Sequence, residues 1–267
     1  MKAKRQTALI TGATSGIGYD FANVFAAKGY DLFLASRNRE KLSGIKKKFE
    51  NIYGTAVSIM PIDLAKHSSA RKVFDRIRTQ KIDIDILVNN AGIGMYGEHV
   101  DLDMEKVASM IQLNITTPTE LCSLFGNAMK RKKRGYILNV ASAAAYQPGP
   151  YIAVYAACKS YVLNFSEALA KELEGYNVFV TCLSPGATRT NFFKAAGVAK
   201  KAKGIWSKDA LMSSREVAEI GVKALFAKKL SLVPGKRNFL LTFSNRLAPR
   251  KAAASISKKV MEKAVRK

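Results

Sequence analysis

The chain has 267 residues, of which 48% are hydrophobic and 24% charged, with 44 Lys or Arg against 20 Asp or Glu. That composition supports a packed core and excludes a disordered chain, and no run approaches the roughly 18 consecutive apolar residues of a membrane-spanning helix. The formal net charge of +24 favours acidic contacts in general, but the cations are scattered and no nucleic-acid motif accompanies them, so a solvated basic surface is expected and not sequence-specific nucleic-acid binding.

The first apolar run, Thr7–Thr11, is too short for the core of a signal peptide, and a cytoplasmic location is expected. Cys122, Cys158 and Cys182 lie inside apolar patterns without metal-type spacing, which reads as buried thiols and no metal site. From Thr7–Thr11 onward, apolar strand-like runs alternate with amphipathic segments. A helix is expected over Gly16–Lys28, a strand over Asp31–Ser36, and a helix over Asn38–Phe49 with Asn38 as its cap. Strand Thr55–Ile62, helix Ser68–Thr79 and strand Ile84–Asn89 follow. Met104–Lys130 reads as a long helix with Pro118 as a kink or irregularity within it. The run Lys130-Arg-Lys-Lys-Arg134 suits a helix carboxyl end, with Gly135 as the cap beyond it. Strand Tyr136–Ala141, helix Tyr151–Leu173 and strand Val178–Leu183 come next. Ser213-Ser-Arg-Glu216 is a capping box opening a helix to about Lys228, and Leu230–Val233 is the last strand. This order implies an α/β fold: a doubly wound, parallel, Rossmann-type sheet of about seven strands with helices on both faces. No linker divides residues 1–267, so a single domain is expected.

Thr11-Gly12-Ala-Thr14-Ser15-Gly16-Ile17-Gly18 follows the first strand and opens a helix. Glycines let backbone approach a pyrophosphate, and the helix offers it free N–H groups. At the end of the second strand, where an acid would mark NAD, stand neutral Ser36 and cationic Arg37. A guanidinium there suits a 2′-phosphate, so NADP(H) is expected over NAD(H); stacking on adenine or exposure to water is the other reading of Arg37. Tyr155 and Lys159 are four residues apart on a helix and share a face. A nearby cation favours a phenolate, which makes a general acid/base near neutral pH. The same spacing occurs in ordinary surface pairs. Tyr146, Tyr151 and Tyr161 have no Lys four residues on, Cys158 reads as a packing residue, and His67 and His99 as surface or cap residues.

The Gly turn at 11–18, Asn89-Asn90-Ala91-Gly92, Asn114, Ser142, Tyr155 with Lys159, and Pro185-Gly186 with Thr190 stand in the order of the short-chain dehydrogenase/reductase family, which the sequence resembles over roughly residues 5–235. The resemblance implies an oxidoreductase that interconverts a carbonyl and an alcohol with NADP(H). Asp63 and Leu64 would receive the adenine, and Asn90, Ala91 and Gly92 would line the adenosine ribose. The Thr188 backbone and the Thr190 hydroxyl would hold the nicotinamide carboxamide. Tyr155 would protonate the oxygen, Ser142 would position it, and Lys159 would lower the Tyr155 pKa and bind ribose. Asn114 would order a water linking Lys159 to solvent. A homodimer or homotetramer is expected.

Residues 191–212 would form a substrate lid, with Phe192, Phe193, Ile205, Trp206 and Met212 among Lys194, Lys200, Lys201 and Lys203. A packed connector is the plainer reading. Residues 236–267 form a basic extension in which Leu247, Ile256, Val260 and Ala264 mark one helical face. Docking on the domain or on a partner subunit is expected there; peripheral membrane contact is the alternative. The rival to an enzyme is a Rossmann protein that senses NADP(H) or binds polyanions without turnover, against which the complete Ser–Tyr–Lys set argues.

Overall fold

The computed structural model describes residues 5–192, 196, 211–245 and 247–265, with side chains described as far as residue 262. The first half runs β1 (Thr7–Thr11), α1 (Gly16–Ala27), β2 (Asp31–Ser36), α2 (Arg39–Tyr53), β3 (Val57–Pro61), α3 (Ser69–Thr79), β4 (Ile86–Asn89), α4 (Met104–Ile111) and α5 (Thr117–Lys132). The second half runs β5 (Gly135–Val140), α6 (Ala153–Leu173), β6 (Val178–Leu183), β7 (Thr188–Arg189), β8 (Met212–Ser213), α7 (Ser214–Phe226), β9 (Ser231–Leu232), α8 (Lys236–Ser244) and α9 (Arg250–Val265). Seven strands form one sheet in the order β3-β2-β1-β4-β5-β6-β9, and every neighbouring pair is parallel. The small β7–β8 pair was not expected from the sequence.

Alternation along the strands sorts the core into two layers. Ala8, Ile10, Leu32, Leu34, Ile86 and Val88 face α1, α2 and α7 through Phe21, Phe25, Leu42, Phe49, Val217 and Leu225. Leu9, Phe33, Leu87 and Ile137 face α3 and α5 through Val73, Ile77, Leu121 and Phe125. Between them a buried polar chain joins two strands to a helix. Asn89 Nδ2 donates to Asn139 Oδ1 at 2.9 Å, and Asn139 Nδ2 donates to Ser166 Oγ at 2.9 Å. Each such bond contributes roughly 0.5–1.5 kcal/mol, and together they hold α6 against β4 and β5.

The caps follow local chemistry. Asn38 accepts from Lys41 N at 2.8 Å, and Ser213 with Glu216 makes the full capping box. Three expectations are corrected. The long helix is two helices joined by a π turn at Gln112–Thr116, and Pro118 sits in the opening turn of α5. Proline supplies no N–H, and the backbone widens just before it: Thr117 N donates to Gln112 O, five residues back. At the end of α5 the left-handed cap is Lys133 (φ 52°), not Gly135, which begins β5 pressed against Met129. In α9 the docked face is Ala253, Ser257 and Met261, one turn apart, whereas Ile256 is 61% and Leu247 77% exposed. Met261 packs on Ile152 and Ala156. Most of the expected lid, including Phe193, Lys194, Lys200, Lys201, Lys203, Ile205 and Trp206, lies outside the described residues, as does the side chain of Ala264. Among the described residues no helix is long and apolar enough to cross a membrane.

Candidate active site

Sheet order reverses between β1 and β4, where successive connections wind away in opposite directions and leave a crevice at the strands' carboxyl ends. Two turns line it. The Thr11 hydroxyl accepts the N–H groups of Asn90 and Ala91, each at 3.0 Å, and donates to Val88 O at 3.2 Å. Asn90 Nδ2 returns a bond to Thr11 O at 3.0 Å. Side chains are excluded where the turns meet. A Cβ on Gly18 would stand 2.3 Å from Gly12 O, and one on Gly12 (φ +69°) 2.9 Å from Ala91 Cα. Ser15 takes the cap position of α1 without a side-chain bond, and no acid lies in the first turn. The first N–H groups of α1 therefore face a cavity lined by Gly12, Thr14, Ser15, Gly16, Ile17 and Gly18, a place that suits an anion.

The same cavity, about 480 Å³, extends over Ser36, Arg37, Asp63, Leu64, Ala91 and Gly92. Arg37 is exposed, Thr14 Oγ1 lies 2.9 Å from Ser36 Oγ, and Asp63 Oδ1 accepts Ala65 N at 3.0 Å. On the other side, Ala143 N donates to Pro185 O at 2.8 Å and Thr188 Oγ1 to Gly186 O at 3.0 Å, while Thr190 Oγ1 accepts Phe192 N at 3.2 Å. Pro185, Gly186, Thr188 and Thr190 all line the wall.

Beyond the end of β5, Ser142 opens a short 3₁₀ turn with its hydroxyl accepting Ala144 N at 3.1 Å. Tyr155 and Lys159 project from α6 into the same space. Lys159 is 5% exposed, donates to Val140 O at 2.8 Å, and holds its ammonium 5.8 Å from the Tyr155 ring centroid. The π turn aims Asn114 inward, where it is 1% exposed. Its Nδ2 donates to Ile93 O at 2.8 Å, and its Oδ1 has no partner among the described residues. Asn114 Oδ1 and Lys159 Nζ converge over Gly92: a Cβ there would lie 2.6 Å from the first and 3.5 Å from the second.

Burial pushes the Tyr155 phenol up to about 12, with the Ser142 hydroxyl pulling the other way. Burial also brings Lys159 down to about 8. In the cavity as it stands, burial sets the Tyr155 phenol and the Ser142 hydroxyl opposes it, so Tyr155 keeps its proton through the neutral range. Cys158 is buried, and burial raises its thiol. His67 and His99 are exposed, and no group of three metal-ligating side chains occurs among the described residues.

Sequence reasoning missed the far wall of the cavity. Tyr96, whose phenol burial also raises, stands near Tyr155. Gln147, which bonds Asn245, lines the same cavity as Asn238, Leu241 and Thr242 of α8 and Ser257 and Met261 of α9. Phe192 packs on Tyr155 with ring centroids 5.5 Å apart. Of these only Phe192, an aromatic in the expected lid, had a sequence signal; the others reach the site through tertiary packing.

A family model described as short chain dehydrogenase matches residues 6–201. A very-long-chain 3-oxoacyl-CoA reductase from Pyrenophora tritici-repentis (strain Pt-1C-BFP) is 32% identical over 191 residues, covering 70% of this chain and 56% of that protein. Human 17-beta-hydroxysteroid dehydrogenase type 3 is 32% identical over 196 residues, covering 73% and 63%; the chain thus spans less than two thirds of either relative's length. Among solved structures, a short-chain dehydrogenase from Sphingobium yanoikuyae in complex with NADPH superposes with a TM-score of 0.81 at 29% identity, covering 90% of this chain and 94% of that one. An alcohol dehydrogenase from the archaeon Thermococcus sibiricus complexed with 5-hydroxy-NADP gives 0.73 at 26%, covering 86% and 96%.

Proposed function

The chain belongs to the short-chain dehydrogenase family, and from that premise we propose that it is an NADP(H)-dependent oxidoreductase interconverting a carbonyl and an alcohol. The observation that carries the proposal is that Ser142, Tyr155 and Lys159 face the same cavity as the uncapped start of α1. The residues present fit a dinucleotide phosphate. Gly12 and Gly18 let the turn pack tightly against Asn90 and Ala91 beside the cavity, and Ser15 leaves the start of α1 without a side-chain cap, so its N–H groups suit a pyrophosphate. Ser36 and Arg37 would meet a 2′-phosphate, Asp63 and Leu64 the adenine, and Asn90, Ala91 and Gly92 the adjoining ribose. Gly186, Thr188 and Thr190 would hold the nicotinamide end. Two structural neighbours above 25% identity are in complex with NADPH or 5-hydroxy-NADP, which supports this choice. When bound, the cofactor supplies or accepts the hydride.

The chain's own residues handle the proton. In reduction, Tyr155, which burial keeps protonated, donates from its Oη to the substrate oxygen. Ser142 hydrogen-bonds the same oxygen and fixes its position, so stabilisation is in place as charge develops. Lys159, anchored on Val140 O, supplies a cation beside the phenol. The unpartnered Asn114 Oδ1 would seat a water between Lys159 and solvent, over which the phenol regains its proton. Oxidation runs the same transfers backward.

The test is a panel of ketones and aldehydes incubated with NADPH, and of secondary alcohols with NADP⁺, followed by nicotinamide absorbance. Carbonyl-dependent loss of NADPH is expected. Tight NADPH binding with no turnover on any member would favour the cofactor sensor.

A further inference from the structure

We propose that α8 and the turn after it form a surface that seats on an anionic membrane, and that the carbonyl substrate is a lipophilic molecule drawn from that membrane; the second part rests on the oxidoreductase reading. Thirteen large hydrophobic side chains stand exposed among the described residues, and five of them fall within nine residues of chain. Phe239 is 52% exposed, Leu240 64%, Leu241 50%, Phe243 47% and Leu247 77%, and the Phe239 and Phe243 rings stack at 6.1 Å. Isolated exposed apolar residues are normal, but a contiguous cluster marks an interaction surface.

Charge selects the occupant. Residues 236–267 contain ten Lys or Arg and one acid, Glu262. The acid is engaged by Tyr151 Oη at 3.1 Å and Lys258 Nζ at 3.8 Å, so it presents no repulsive face. Lys236, Arg237, Arg250 and Lys251 are exposed and flank the apolar cluster at both ends. Apolar side chains ringed by cations fit an interface of acyl chains beneath anionic headgroups. A second copy of this chain would bring the same cations against one another.

The surface is also a wall of the active-site cavity. Leu241 and Thr242 of α8 and Met261 of α9 line the space that reaches Tyr155. The substrate end beside them is largely apolar, with Ile152, Ala144 and Phe192. A hydrophobic carbonyl compound partitioned in the membrane would thus enter beside the helix that touches it.

The test uses the full chain with two kinds of vesicle, pure phosphatidylcholine and phosphatidylcholine containing phosphatidylglycerol. Co-sedimentation is expected with the anionic vesicles and is expected to weaken in high salt. The triple variant Phe239→Ser, Leu240→Ser, Phe243→Ser changes exposed residues away from the cavity lining. It should bind anionic vesicles about tenfold less or weaker while reducing a short, water-soluble ketone as the parent does. It should lose rate on a long-chain ketone embedded in those vesicles. A parent chain that stays in the supernatant with both vesicles overturns the surface. So does a variant that binds vesicles unchanged but drops to a smaller assembly by light scattering, since the patch would then join copies of the chain. Vesicle binding without turnover of any carbonyl would leave the surface standing and overturn the oxidoreductase reading and, with it, the substrate assignment.

Discussion

Lys159 is a cation placed where a cation is costly. Burial brings its pKa from 10.5 down to about 8, so between those values the unfolded chain holds a proton that the folded chain has released. Stability then rises with pH across that window, because the unfolded state binds more protons. The buried cysteines act in the opposite sense: burial raises Cys122 and Cys182 to about 12, so the folded chain keeps protons that the unfolded chain loses. In a comparison with Lys159→Met the cysteine contribution largely cancels, because burial is its main cause in both chains and the Lys159 charge acts only secondarily on Cys158 and Cys182. Denaturant midpoints from pH 7.5 to 9.5 should show the parent gaining on the variant by roughly 1 kcal/mol per pH unit. Parallel curves would mean that Lys159 is not desolvated as described. Arg37 poses a different question, since it is exposed and its value lies in what it recognises. Arg37→Ala should weaken NADPH by roughly 1.5–3 kcal/mol and leave NADH almost unchanged in binding titrations; an equal loss for both would point to adenine stacking. At this scale the sequence was informative where spacing carries geometry. Tyr155 and Lys159 do share a face of α6, but the pull of burial on both groups depends on what packs over them, which spacing does not contain.

The Gly12–Gly18 turn shows the same division between local and distant causes. Its place between β1 and α1 is readable from glycine spacing after an apolar run. The reason Gly18 tolerates no side chain is a backbone oxygen at Gly12 and the amide of Asn90 brought from another strand. Gly18→Ala must displace backbone and not a flexible side-chain tip, so a loss of about 1–3 kcal/mol in stability is expected, with NADPH affinity reduced as the α1 start shifts. Chemical denaturation and fluorescence titration check the two parts, and unchanged values in both would contradict the described contact. Pro118 marks an irregularity in the long helix, but its form, a π turn at Gln112–Thr116 just before the proline, is not legible from the sequence. Such π turns are frequent at functional sites, and this one holds Asn114, whose Oδ1 converges with Lys159 Nζ over Gly92. Strand boundaries shifted by one or two residues, as at β3, where Gly54 in a left-handed conformation (φ 59°) ends α2 and delays the strand to Val57.

Across the whole molecule, the sheet order and the two-layer core follow from alternating runs that the sequence displays. The closure of the cavity does not. Gln147 meets Asn245, and Tyr151 meets Glu262, across gaps of 98 and 111 residues, and no local pattern announces such pairs. The basic extension was expected to dock through Leu247, Ile256, Val260 and Ala264; Leu247 and Ile256 stand exposed, and the buried positions are Ala253, Ser257 and Met261, the last packed on Ile152 and Ala156. The bulky residues of α8 are left outward beside a cluster of cations, so the uneven charge of the chain and the wall of its cavity meet in one place.

The central claim is that Tyr155 is the proton donor of an NADPH-dependent carbonyl reduction. Tyr155→Phe retains the ring that packs on Phe192 and removes only the hydroxyl. The decisive measurement is kcat of parent and variant on the same ketone, with NADPH dissociation constants measured alongside. The account predicts a fall in kcat of at least about a hundredfold with NADPH affinity held within about twofold. A variant that turns over at the parent's rate while binding NADPH normally would contradict it.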